Sequence, residues 1–201
     1  TFTLMPFVAL SQGKTPGTMQ ATETLNGTAV ANSPATAVSE NKNHFVVARL
    51  NGQWRRKLSA DSNMEWKFNV GGWNSHNEFQ QTSTNPSLIP QVTENSHVQD
   101  RSANLSGKYT NVMGGGHQWV SGAETESVRR TQEVVGAYQG FARSADYQAS
   151  AMRYAMYSQD EWQLTPHWAT HVGARYEGLT TEGSTSAGNV TNRNSVFTPL
   201  L

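Results

Sequence analysis

From Val46 to Trp54 the even positions read Val46, Ala48, Leu50, Gly52 and Trp54, and the odd ones include Arg49, Asn51 and Gln53. Successive side chains of a strand point to opposite faces, so this alternation predicts a strand with one apolar and one polar face. Two more runs are as clean. Met64, Trp66, Phe68 and Val70 interleave with Glu65, Lys67 and Asn69; Trp168, Thr170, Val172, Ala174 and Tyr176 stand against His171, Gly173, Arg175 and Glu177. Residues 102–112, 117–128 and 150–164 fit less well. In the last of these Asp160 falls on the apolar side and breaks the pattern. With the terminal runs 1–10 and 195–201, about eight strands are predicted.

The connections alternate in length. Short ones lie near Ser59-Ala60-Asp61, Met113-Gly114-Gly115-Gly116 and Thr165-Pro166-His167, and long ones cover roughly 11–42, 75–99, 132–148 and 180–194. Short turns on one side and long loops on the other describe an all-β, antiparallel transmembrane barrel segment, with periplasmic turns and extracellular loops. About 10 residues per strand, tilted ~45°, span ~23 Å, close to the ~25 Å apolar band of such barrels. Trp54, Trp66, Trp162 and Trp168 lie within a few residues of a short turn. Tryptophan suits a membrane–water interface, where the ring is buried and the N–H stays wet. The alternative is an aromatic core in a soluble β-protein.

Composition fits this picture. Only 36% of the 201 residues are hydrophobic and mean hydropathy is −0.60, with no run near the ~18 apolar residues of a membrane helix. A barrel needs none, because alternate residues face a polar lumen. The 15 basic residues balance the 15 acidic ones, so no nucleic-acid partner is indicated. Cysteine is absent, which excludes disulfides and thiolate metal sites. Thr1-Phe2-Thr3-Leu4 and Pro199-Leu200-Leu201 both read as strand, and the first residues do not read as a signal peptide. Residues 1–201 are therefore expected to be one partial barrel.

Candidate chemistry is divided between the polar face and the loops. Arg49, Glu65, Lys67, Lys108 and Glu124 share the charged side of the pattern with Glu126, Arg153, Glu161, Arg175 and Glu177. A dry apolar core would not hold such charges unpaired. They are expected to line a water-filled or plugged lumen, the alternative being a solvent-facing sheet. The loop 132–148 carries Tyr138, Phe141, Arg143 and Tyr147. Aromatics beside a guanidinium suit a flat anionic ligand, so these four are the candidate ligand contacts, against ordinary loop packing. The six histidines form no compact ligand pair, and Gly114-Gly115-Gly116 lacks the rest of a phosphate loop. No GxSxG motif occurs. No catalytic residue, cofactor or metal site is expected, and the chain is not read as an enzyme.

Tyr157-Ser158-Gln159-Asp160-Glu161-Trp162, turning into Gly173-Ala174-Arg175-Tyr176-Glu177, resembles a barrel hairpin of TonB-dependent receptors. Ser195-Val196-Phe197-Thr198-Pro199-Leu200-Leu201 looks like the start of that family's next strand, and His117-Gln118-Trp119-Val120-Ser121-Gly122-Ala123-Glu124 is similar to an earlier one. The strong match covers about 45 residues; the remainder matches in layout. The resemblance implies a bacterial outer-membrane location and energised import of a scarce nutrient such as a ferric siderophore. It also implies a 22-stranded barrel, and a TonB complex acting through an N-terminal plug that this sequence does not show. Two readings stand beside it, a passive porin or small complete barrel, and a soluble β-sandwich binding module.

Overall fold

A computed structural model describes residues 1–30 and 33–201. The strands are β1 (Phe2–Ala21), β2 (Thr24–Leu25), β3 (Thr28–Ala29), β4 (Ala35–Lys57), β5 (Ser62–Ser83), β6 (Val92–Met113), β7 (His117–Tyr138), β8 (Phe141–Thr165), β9 (Trp168–Thr185) and β10 (Gly188–Leu200). Eight of them form one antiparallel sheet in the order β1-β4-β5-β6-β7-β8-β9-β10, while β2 and β3 make a small separate hairpin. A 3-10 turn over Gly114–Gly116 joins β6 to β7. Each long strand pairs with its neighbour in sequence, the meander that short hairpin turns permit.

Register fixes which residues share a face. Trp54 pairs with Trp66, Trp66 with Gly107, Gly107 with Ala123, Ala123 with Met156, and Met156 with Tyr176. Leu50, Phe68, Leu105, Trp119 and Val172 belong to this same face by parity; Leu105, Trp119 and Val172 stand exposed, while Leu50 and Phe68 are half-buried. Bare apolar surface on this scale marks a protein or membrane contact. A packed interior hardly exists. Ala35, Ala37 and Ile89 form the one buried cluster among the described residues, where the segment 84–91 folds against the far end of β4. A β-sandwich would bury one face of each of two sheets; the single sheet removes that reading.

The strands are tilted. Along the row through Trp54, Gly107 and Met156, the tips of the short turns step outward. Ala60 lies six residues past Trp54, Gly115 eight past Gly107, and Pro166 ten past Met156. That is about one residue of ~3.3 Å for each ~4.8 Å between strands, a tilt of ~35°, within the range of barrel strands. On β7 the run from Trp119 to Arg129 rises ~27 Å at this tilt, matching the apolar band of an outer-membrane barrel.

One expectation is corrected. The long connections are not open loops, because the strands run on for 20–25 residues before turning in β1, β4, β5, β6, β7 and β8. Of the segment 132–148 only Gln139 and Gly140 lie between strands, and of 180–194 only 186–187. The segment 75–99 keeps a connection at 84–91, and 11–42 contains β2 and β3. Residues 31 and 32 of that last segment lie outside the described residues. The cause is that period-2 patterning requires one face dry. Where both faces are wet, alternation stops while backbone pairing continues.

Candidate functional site

The ten charged residues picked out by alternation all fall on the face opposite Trp66 and Phe68, as register alone requires. Glu65 pairs with Arg55 and Lys108, Glu124 with Ala155, Glu126 with Arg153, Arg175 with Tyr157, and Glu177 with Ala155. Seven of them, Glu65, Lys67, Glu124, Glu126, Arg153, Arg175 and Glu177, pair with one another. Arg175 holds Glu177 at 2.5 Å and also donates to Glu124. Arg153 reaches Glu124 at 3.2 Å, Glu177 at 3.5 Å and Glu126 at 3.8 Å. Two arginines between three carboxylates form one network across β7, β8 and β9, with the Arg175 guanidinium 5.7 Å from the centre of the Tyr157 ring. Nearer the first short turn, Glu65 takes Lys67 at 2.6 Å and Arg55 at 2.7 Å. Glu161 accepts from Gln118 and Gln159. Arg49 lies over Gly71, where a Cβ would come within 2.7 Å of its Cγ. This face is not uniformly polar, since Met5 and Phe7 on β1 and Val196 on β10 are on it and exposed.

The four candidate ligand residues also lie on this face. Tyr138 pairs with Phe141 at the hairpin tip, Arg143 with Gly136, and Tyr147 with Gln132. They sit on strands, not on the loop expected for 132–148. Gln139 and Gly140 take positive φ values of 50° and 82°, the two-residue geometry of a tight hairpin. Tyr138 and Arg143 line one small cleft together with Glu94, while Phe141 is 75% exposed at the tip. Tyr147 lies further down and lines a different cavity of about 500 Å³ with Arg130, Asp100, Val128 and Val190.

That second cavity contains residues the sequence did not single out. Arg130 bonds Asp100 at 2.9 Å and lies 5.4 Å from the centre of the Trp73 ring, which packs against Phe45 at 5.7 Å. Trp73, Asp100 and Arg130 occupy one cross-strand row. Only register could have found them, since they come from three strands. The arrangement offers a half-buried aromatic surface with a guanidinium held in place by a carboxylate, suited to flat anionic groups. No cluster of metal-ligating side chains occurs among the described residues.

A family model described as TonB dependent receptor-like, beta-barrel, matches residues 6–200. No curated protein matches the chain. Among solved structures, the chain is similar to the ferric citrate transporter FecA in its unliganded form, at 9% identity over 83% of this chain and 29% of that one, with a TM-score of 0.47. It is similar also to BauA, the ferric preacinetobactin receptor from Acinetobacter baumannii, at 11% identity, 83% and 33% coverage and a TM-score of 0.46. A third is the ferric yersiniabactin uptake receptor FyuA from Yersinia pestis, at 14% identity, 98% and 38% coverage and a TM-score of 0.33. The chain spans about a third of the length of these structures.

Proposed function

Because the chain belongs to the β-barrel family of TonB-dependent receptors, a family of outer-membrane transporters and not of enzymes, we propose that it forms part of a receptor importing a ferric siderophore or a similar scarce chelate, driven through TonB. The apolar face meets lipid, and the charged face with Arg49, Glu65, Lys67, Glu124, Arg153, Glu161, Arg175 and Glu177 lines the lumen. The long hairpins stand outside the cell. A plug acting on the lumen face would couple the barrel to the TonB complex; the chain 1–201 is barrel alone.

The observation that carries the ligand reading is Arg130 held over Trp73, with Tyr147 on the same cavity. Arg143, Tyr138 and Phe141 stand above it on the same face. An anionic ferric chelate would gain charge contacts from the two arginines, and its planar groups would stack on the rings. The experiment replaces Tyr138, Phe141 and Arg143 together, and separately Arg130 and Trp73, in the intact receptor. Whole-cell binding of radioactive ferric citrate, a ferric catecholate and a ferric hydroxamate is then compared at equal surface expression. The variants are expected to lose binding of whichever chelate the parent takes. Undiminished binding in both would place recognition elsewhere, on other hairpins or on the plug.

A further inference from the structure

On the face that carries Leu50, Phe68 and Trp66, the apolar run of each strand ends abruptly. On β6 it ends at Ala103, and the next outward residue is Arg101; on β7 the next outward residue after Ser127 is Arg129. Arg101 and Arg129 are direct register partners and both are exposed. Like charges directly opposite each other on a sheet repel. Neither is relieved by an acid. Arg129 donates only to the side-chain oxygen of Gln148, at 3.1 Å, and Arg101 has no partner among the described residues. The nearest carboxylate in their row is Glu182, two strands beyond Arg129, and it binds Ser150. The arginines of the opposite face at Arg130, Arg153 and Arg175 are all ion-paired.

Directly below the pair runs a groove of about 530 Å³, walled by Val46, Ala48, Val70 and Ala103 with Arg101 and Arg129 at its mouth. Gly72, the register partner of Arg101, also lines it. An open apolar depression edged by two uncompensated guanidinium groups at the border of an apolar band is complementary to one kind of molecule. We propose that Arg101 and Arg129 hold the phosphate of an anionic lipid in the leaflet on the long-hairpin side, with an acyl chain lying in the groove. Two planar guanidinium forks suit a phosphate, donating bidentate bonds to oxygens whose charge a choline headgroup would screen with its own cation. The phosphate removes the repulsion between the arginines. This inference rests on the reading of the face as lipid-facing.

The test uses the full-length receptor in nanodiscs of mixed phosphatidylglycerol and phosphatidylcholine, with retained lipids counted by native mass spectrometry after gentle extraction. The parent is expected to retain phosphatidylglycerol over phosphatidylcholine by about tenfold. Arg101→Gln with Arg129→Gln should abolish the preference, and the double lysine variant should keep only part of it, because lysine retains charge without the fork. Ala103→Phe fills the groove away from the arginines and should lower total lipid retention. Heat-shifted mobility on gels confirms that each variant is folded. Equal retention by the parent and the glutamine variant would overturn the proposal. Displacement of phosphatidylglycerol by millimolar inorganic phosphate would overturn it too, showing a free-anion site. Failure of the underlying reading is separable: acyl-brominated phosphatidylcholine should quench the outward tryptophans Trp66 and Trp119, and an absence of quenching would remove the lipid face itself.

Discussion

At the scale of single residues, the two faces behave as two solvents. Phe68 stands on the apolar face, covering Gly52 so closely that a Cβ there would come within 2.2 Å of its ring. Trp66 covers Gly107 in the same way, at 2.8 Å. Each is a direct cross-strand pair, a large ring filling the space left by a glycine. Replacing Phe68 with arginine places a charge near the middle of the band and is expected to cost roughly 2–4 kcal/mol of barrel stability. Reversible unfolding of the full-length protein in lipid vesicles measures it, and a cost near zero would refute the membrane-facing assignment. On the opposite face, coupling between Glu124 and Arg175 in a double-mutant cycle should be about 1 kcal/mol or less, since both are partly exposed. The alternation made both sets legible. It could not explain Asp160, which breaks the apolar stripe. Its carboxylate bonds His117 at 2.7 Å, and that ring stacks on Trp162 with centres 4.8 Å apart. Trp162 in turn donates to the carbonyl of Gly115. Asp160 therefore sits at the short-turn border, in a polar cluster assembled from β7 and β8. Single-strand patterning is blind to a partner 43 residues away.

At the scale of the element, the strands were legible where one face is dry and invisible where both are wet. The alternating portion of β4, β5 and β9 follows directly from sequence. Their continuation toward Ser83, Ala35 and Thr185 carries no alternation, only pairing. The extensions are held by polar ladders such as Lys14, Glu40 and Lys42, where Glu40 takes Lys14 at 2.6 Å and Lys42 at 3.3 Å. The hydrogen bond from Lys14, then that from Lys42, draws the Glu40 carboxyl below its ordinary value despite some desolvation. A depressed carboxylate contributes stability that is complete above its unfolded value and lost as pH falls through the folded one. Amide protection in the β1–β4 extension should therefore be flat from neutrality to about pH 5 and decline below about pH 4. Glu40→Gln should remove that decline, and an unchanged acid profile in the variant would assign it to other groups. The same hairpins settle sidedness. With Ala60→Cys in a short turn and Ala187→Cys in the β9–β10 turn, an impermeant thiol reagent on intact cells should label position 187 and spare position 60. The reverse pattern would invert the topology.

At the scale of the whole molecule, the sheet has almost nothing to bury within itself. Six apolar residues are buried among those described, all of them small or medium in size, while tryptophans, phenylalanines and leucines stand bare on the outer face. On the proposed reading, stability then comes from lipid on one side, from whatever fills the lumen on the other, and from neighbours at the edges. β1 and β10 lie at opposite ends of the strand order and do not pair with each other. The eight strands are an open sheet, which agrees with membership of a family of larger barrels and disfavours a complete small barrel. An open edge in hydrocarbon leaves a row of backbone N–H and C=O groups without partners, at a cost of several kcal/mol for each. The chain 1–201 produced alone and refolded into detergent micelles is therefore expected to associate through β1 and β10, showing broad oligomers on sizing and no heat-dependent gel shift. The full-length barrel in the same micelles should be monodisperse and heat-modifiable. A monomeric, heat-modifiable, ion-conducting species from the isolated chain would mean that β1 and β10 can close the sheet, and the small-barrel reading would replace that of a receptor segment.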